Sequence, residues 1–301
     1  MRLRRLLPLL GVVPALAAQE MEPRSYSPSP VGASFFVTTW VSSTGDVVQD
    51  PTVPLKDVNA RVEAVAMGYG HVFDMFGRQA LVTVGLPYAW AWMSGKAGAS
   101  PTDTAISRSG IGDMRAKLSV NLLGSPALSP GEFAKQPRAH WIVGTSVAII
   151  APTGQYFPYR VINIGANRWA FKPEVGVSYN KSNKLYLDLY AGVWLFTSNA
   201  AFYPGTATRT EEPLVSLQLH ASYNFTKRIF AALESTWYSG GSATVNGGPP
   251  TLRQDNTRIG ALFAYGFTDR QSVKITYDEG AIVRAGQDFK VFGLAYQLLW
   301  F

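Results

Sequence analysis

The chain contains no cysteine. That excludes a disulfide framework, a thiolate metal site and a lipidated N-terminal cysteine. Charge is also scarce, at 16% of residues against roughly 25% in ordinary soluble domains. Only three histidines occur, His71, His140 and His220, and no metal site is expected from them. After the first twenty residues no apolar run reads as a membrane helix. The nearest candidates, 79–95, 139–159 and 189–208, lack Asp, Glu, Lys and Arg but contain glycine, threonine, β-branched and aromatic residues. Such segments favour strand over helix. A mean hydropathy of +0.03 is likewise too low for a helical membrane bundle. The glycine-bearing stretches Gly110-Ile111-Gly112 and Ala151-Pro152-Thr153-Gly154 lack the strand–loop–helix context of a phosphate loop, and no cofactor is expected.

What is present begins with a secretory signal. Arg2, Arg4 and Arg5 precede an apolar stretch from Leu6 to Val13, and Ala15-Leu16-Ala17 supplies a small-residue cleavage site. Cleavage after residue 18 leaves 24 basic against 20 acidic residues, a net charge of +4 instead of +7. So mild an excess implies no nucleic-acid partner. Aromatics reach 13%, with 8 Trp and 14 Tyr, which suits interfacial belts at a membrane surface.

The dominant period is two. Trp169, Phe171, Val175, Val177 and Tyr179 alternate with Arg168, Lys172, Glu174, Ser178 and Asn180. Met114, Ala116, Leu118, Val120 and Leu122 alternate with Asp113, Arg115, Lys117, Ser119 and Asn121, and Val58, Ala60, Val62 and Ala64 with Asp57, Asn59, Arg61 and Glu63. Each segment therefore has one apolar and one polar wall. About twelve such segments follow one another. Short links such as Asp74-Met75-Phe76-Gly77 and Lys181-Ser182-Asn183 alternate with long Gly/Pro/Ser/Thr-rich ones at 45–56, 95–108, 153–167, 198–211 and 241–255. Short periplasmic turns with long extracellular loops are the pattern of outer-membrane barrels. Two links depart from it: 124–138, with three prolines and room for a small helix at Pro130 to Ala134, and the brief link near 283–286.

The expected fold class is all-β: a closed antiparallel transmembrane β-barrel of about twelve strands. The expected order is a signal peptide at 1–18, a short periplasmic lead at 19–32 and the barrel at 33–301, in the outer membrane of a Gram-negative bacterium. A bilayer offers backbone groups no hydrogen-bond partner, so the first segment must pair with the last. The terminal Trp300-Phe301 suits an assembly signal at Phe301. Two registers of this last segment remain open, one through Phe301, Leu299 and Gln297 and a more apolar one through Trp300, Leu298 and Tyr296. Expected partners are outer-membrane lipid and lipopolysaccharide, the barrel-assembly machinery and a small hydrophobic solute.

Four segments carry a family resemblance: Arg24-Ser25-Tyr26-Ser27-Pro28-Ser29-Pro30-Val31-Gly32, Ser107-Arg108-Ser109-Gly110-Ile111-Gly112-Asp113, Ala151-Pro152-Thr153-Gly154-Gln155-Tyr156 and Asn167-Arg168-Trp169-Ala170-Phe171-Lys172-Pro173-Glu174. In these the chain resembles the outer-membrane proteins of the meta-pathway of phenol degradation, from about Arg24 to Phe301. The resemblance implies a barrel and uptake of aromatic or other apolar small molecules.

By parity Arg61, Glu63, Arg115, Lys117, Lys172, Glu174, Asp188, Glu234, Arg258 and Lys274 fall on the inner wall. Two readings fit them: a charged constriction that selects solutes, or an ion-pair lattice bracing a narrow barrel. Trp90, Trp92, Tyr88, Trp237 and Trp300 near segment ends suit interfacial anchoring. Trp194 and Tyr238 share parity with Asp188 and Glu234 and are the aromatic cargo candidates. His220, Ser222 and Glu234 lie on one wall of one hairpin, the residue types of nucleophilic hydrolysis, with ordinary lumen hydrogen bonding as the alternative. The leading expectation is a non-enzymatic passive channel for small apolar or aromatic molecules. A lipid hydrolase and a structural barrel without transport stand as alternatives.

Overall fold

The computed structural model describes residues 22–48, 55–97, 103–160, 162–284 and 286–301. The expected signal peptide lies outside them. In chain order the elements are β1 (Ser34–Val48), β2 (Leu55–Met75), β3 (Arg78–Ala97), β4 (Asp103–Ile111), β5 (Met114–Leu123), α1 (Pro130–Lys135), β6 (Trp141–Ala151), β7 (Ala170–Lys181) and β8 (Leu185–Phe196). There follow β9 (Asn199–Phe202), β10 (Ala207–Glu211), β11 (Leu214–Asn224), β12 (Ile229–Gly240), β13 (Ala243–Val245), β14 (Gln254–Gly266), β15 (Gln271–Ile282) and β16 (Gly286–Trp300).

Every neighbouring pair in the main sheet is antiparallel, and β1 pairs with both β2 and β16. The β1–β16 ladder runs from Ser34↔Trp300 to Val48↔Gly286, so the sheet closes on itself and leaves no edge to lipid. β4 and β5 both pair with β3, end to end, at Tyr88↔Ile111 and Gly85↔Arg115. They form one wall strand interrupted at Gly112-Asp113. Counted that way the barrel has twelve walls.

Alternation sorts the side chains. Leu187, Leu189, Leu219, Leu233, Ile259, Phe263, Ile275, Phe292 and Leu294 are exposed outward, while their strand neighbours are mostly buried inside. In β16 the register through Trp300, Leu298, Tyr296, Leu294 and Phe292 is the exposed one. The more apolar choice therefore faces lipid. Phe301 follows β16 as an exposed ring. Ring pairs girdle both ends: Trp141–Tyr179, Tyr223–Phe225, Tyr265–Phe267 and Tyr69–Trp300 at one, Tyr88–Trp90 and Trp40–Phe292 towards the other. Amphipathic rings favour that depth.

Turn chemistry explains the short end. Asp74 Oδ1 accepts the Gly77 N–H at 2.7 Å, with Phe76 and Gly77 both at positive φ. The 124–138 link does carry a helix, α1, with Pro130 in its first turn and Glu132 accepting from the Ser129 N–H at 2.9 Å. At the other end the loops are folded: β9, β10 and β13 make a separate three-stranded sheet.

Two expectations need correction. Arg61 and Glu63 do not face the lumen. Ala60, Val62 and Ala64 are buried inside, and Arg61 lies outward over the Trp92 ring at 5.8 Å, bonded to Glu63 at 2.8 Å. β2 has 21 residues, about twice the 9–11 that span a bilayer. Its outer half stands beyond the hydrocarbon, where an outward ion pair meets water and headgroups. The lead is the second case. From residue 22 onward it is not a free periplasmic strap but a segment packed inside the barrel.

Substitution of Leu219, mid-strand and 55% exposed to lipid, by Arg is expected to destabilise the folded barrel by about 2–4 kcal/mol. Arg61→Leu should change stability by well under half of that. Denaturant unfolding of both variants in lipid vesicles measures the difference.

Candidate functional site

The lumen has two unlike sides. On β5 to β15 the inward positions carry the buried charges, with smaller apolar clusters between them at Ile150, Ala170 and Trp194 and at Ala232, Leu262 and Ala264. Glu174 sits at the centre of that side, and its carboxylate receives Lys172 Nζ at 2.6 Å, Tyr26 Oη at 3.0 Å and Gln218 Nε2 at 3.0 Å. Lys117 Nζ lies 3.7 Å away. Buried charges persist when paired and hydrogen-bonded, and Glu174 meets that condition from four elements. Next along the wall, Asp188, His220 and Glu234 occupy consecutive cross-strand positions, with His220 Nδ1 3.5 Å from Glu234. Arg258 donates to the Phe289 carbonyl at 3.0 Å. Arg115 and Lys274 share the inward parity of Lys117 and Asp278.

On β16, β1, β2 and β3 the inward positions are apolar and mostly small. Val41, Ala60, Val62, Ala64, Ala89, Ala91, Phe289 and Val291 form one buried cluster. Barrel interiors of this kind are ordinarily polar, so this shelf is the unusual feature. Ile164 joins it from the β6–β7 loop. That loop therefore folds inward across the outer mouth. Asp113 fixes both of its ends, accepting the Gly154 and Ala166 N–H groups at 2.8 Å each.

From the other end the lumen is filled by residues 22–33. Tyr26 is 1% exposed. Its ring lies over Gly144 and Gly176, a cross-strand pair where any Cβ would come within 2.2 Å of it. Its hydroxyl bonds Ser146 and Glu174 at 3.0 Å each, and its ring meets Tyr190 edge-on at 5.2 Å. Arg24 is held by four contacts. Its N–H donates to Asp188 at 3.1 Å, its Nε donates to Ser222 Oγ at 2.7 Å, and its guanidinium lies 4.3 Å from the Tyr186 ring and 4.1 Å from Phe230. Burial lowers the Arg24 pKa, opposed by Tyr186 and Asp188. Burial also raises that of Tyr26, with Glu174 adding to it.

Eight of the ten expected inward charges do face the lumen, and three of them, Lys117, Lys172 and Glu174, form one ion-paired group. Trp194 and Tyr238 are buried inside, Trp194 beside Phe196 in a near-parallel stack and 5.9 Å from Lys172 Nζ. Of the three hydrolytic candidates, His220 Nδ1 and Glu234 lie 3.5 Å apart, while Ser222 Oγ accepts from Arg24 Nε at 2.7 Å. Sequence reasoning assigned no role to Tyr26, Arg24 or the Gly144/Gly176 pair. The available signal was two glycines that alternate with β-branched neighbours on adjacent strands.

A family model described as "Putative MetA-pathway of phenol degradation" matches residues 41–298. The chain belongs to that family. Among solved structures, an outer membrane channel from Pseudomonas putida F1 is similar over 93% of this chain and 100% of its own, at 21% identity and a TM-score of 0.74. The β domain of the Bordetella autotransporter BrkA is similar over 89% and 100%, at 12% identity and 0.53. The transport unit of the Escherichia coli autotransporter AIDA-I is similar over 94% of each chain, at 11% and 0.51. These likenesses are of fold. A comparison with curated protein sequences finds no significant match.

For this family member, Tyr26→Ala and Gly176→Val are each expected to loosen the inner segment and raise single-channel conductance severalfold. Tyr26→Phe, which keeps the ring, should raise it less. Valine suits a strand, so heat-modifiable migration on gels should show the Gly176→Val barrel still folded.

Proposed function

We propose that the protein is a gated, passive outer-membrane channel for small apolar or aromatic molecules. The single observation that carries this is the apolar shelf on β16, β1, β2 and β3, set inside a barrel whose opposite wall is ionic. Such a path offers a wet side for polar edges and a dry side for a ring or alkyl group. Twelve strands leave a narrower lumen than the sixteen to eighteen of general porins. The inner segment and the inward loop narrow it further, so solute passage requires one or both to move.

The inward charges act mainly as a brace in this reading. Lys117 and Lys172 both pair with Glu174, and such a group keeps the wall rigid while the segment leaning on it moves. Trp194, next to Ile150, Ala170 and Leu214, extends the apolar path on the ionic side. Membership of a family described by phenol degradation supports an aromatic cargo. The lipid and lipopolysaccharide around the barrel and the assembly machinery that reads Phe301 are the partners proposed with it.

Val62→Thr combined with Val291→Thr keeps the side-chain shapes and makes the shelf polar. The double variant is expected to lower uptake of a labelled phenolic solute by cells severalfold, while its potassium chloride conductance in planar bilayers stays near that of the parent. Equal uptake by both proteins would remove the shelf from the transport path.

A further inference from the structure

The inward loop encloses a cavity of about 220 Å³ at the outer mouth, against β4. Two of the four segments singled out in the sequence meet there, 107–113 and 151–156. Its chemistry differs from that of the shelf. Arg108 and Arg160 both line it, together with Gln155, Phe157, Ile162 and Ile164. Elsewhere the arginines near the mouth are matched: Arg168 and Arg209 both contact Glu211 at 2.8 Å. Among the described residues, neither Arg108 nor Arg160 contacts a carboxylate. Among the described residues, Arg108 donates to the Ser107 carbonyl at 2.8 Å, and its Nε is buried without a hydrogen-bond partner. Arg160 lies over the Phe157 ring, its Cζ 4.3 Å from the ring centre. Partly buried guanidinium groups without an anion forgo the bidentate carboxylate pairing their geometry suits.

The cavity is preformed. Asn163 ties its rim by accepting from the Phe157 N–H at 2.7 Å and donating to the Phe157 and Arg160 carbonyls at 3.1 and 3.0 Å. Gln155 N–H donates to the Ile111 carbonyl at 2.8 Å, and the Gln155 side chain lies in the space Gly110 leaves empty. The volume lies below the roughly 300 Å³ at which drug-sized sites begin, so it suits a molecule of one ring.

We propose that this cavity is a recognition site for small aromatic carboxylates, with the carboxylate on Arg108 and Arg160 and the ring against Phe157, Ile162 and Ile164. The inference rests on the channel reading and narrows its substrate class. A solute captured there stands beside Ile164, which also belongs to the shelf, so the site hands its cargo to the apolar path.

The test uses the full-length barrel in detergent with benzoate as the probe and benzyl alcohol as its neutral counterpart, read by titration calorimetry. Wild-type protein is expected to bind benzoate saturably and benzyl alcohol at least tenfold more weakly. Arg108→Gln and Arg160→Gln are each expected to weaken benzoate about tenfold or more, the scale of a lost charge-assisted hydrogen bond. Their potassium chloride conductance and heat-modifiability report an intact channel. Equal binding of the two probes, equal displacement of benzoate by sulfate, or unchanged affinity in both variants would overturn the site. A parallel uptake measurement with neutral phenol separates the two readings: transport of phenol without arginine-dependent benzoate binding removes only this inference, whereas failure to transport phenol removes the channel.

Discussion

Hydrocarbon cannot hydrogen-bond a peptide group, and that one fact governs the rest of this molecule. It forces β1 onto β16 through fifteen consecutive residue pairs. Closure in turn fixes which side chains meet lipid and which meet the lumen, because a one-residue slip would exchange the two sets. Leucine, phenylalanine and tryptophan on the outside are thus a consequence of the same ladder that presents Lys172, Glu174, Asp188 and His220 inside. The short turns with positive φ at Phe76, Ser182 and Asn183 hold that register at the periplasmic end.

Within the closed wall, side-chain size divides the interior. Where β1 to β3 turn alanine and valine inward, the lumen is lined by apolar surface. Where β5 to β15 turn longer polar groups inward, the interior carries a connected set of charges. Glu174 makes that side coherent, since one carboxylate ties β5, β7, β11 and the N-terminal segment. A low-dielectric surround strengthens each of these bonds and makes loss of any one partner more costly. The rigid ionic side and the smooth apolar side are complementary halves of one conduit.

Much of the wall was legible in the sequence, and the reason is the strict two-residue period of strands that have lipid on one face. Strand number, turn end and loop end all followed from it. Parity failed at Arg61 and Glu63 because β2 outruns the membrane. Once a strand stands in water on its outer face, polar residues no longer mark the inside. The contents of the lumen were less legible. Tyr26 reaches Gly144 and Gly176 across more than a hundred positions, and no local pattern records such a distance. The inward fold of the β6–β7 loop was equally hidden, since Asp113, which fixes it, reads from sequence as one more polar residue at a strand boundary. Arg108 fell in a quoted segment without a role for the same reason.

The segment inside the barrel dips in and returns. Arg24 lies beside Tyr186 and Phe230, each one residue in from a periplasmic strand end, Tyr26 stands higher near Ser146, and Val31 is back at the rim, donating to the Leu128 carbonyl at 2.8 Å. Such a bight can be drawn out downward as a slack loop. No rung of the surrounding ladder has to break. Opening then depends on the side-chain contacts of the segment rather than on the strength of the wall, so the stability of the cylinder and the hold on its stopper are separate quantities.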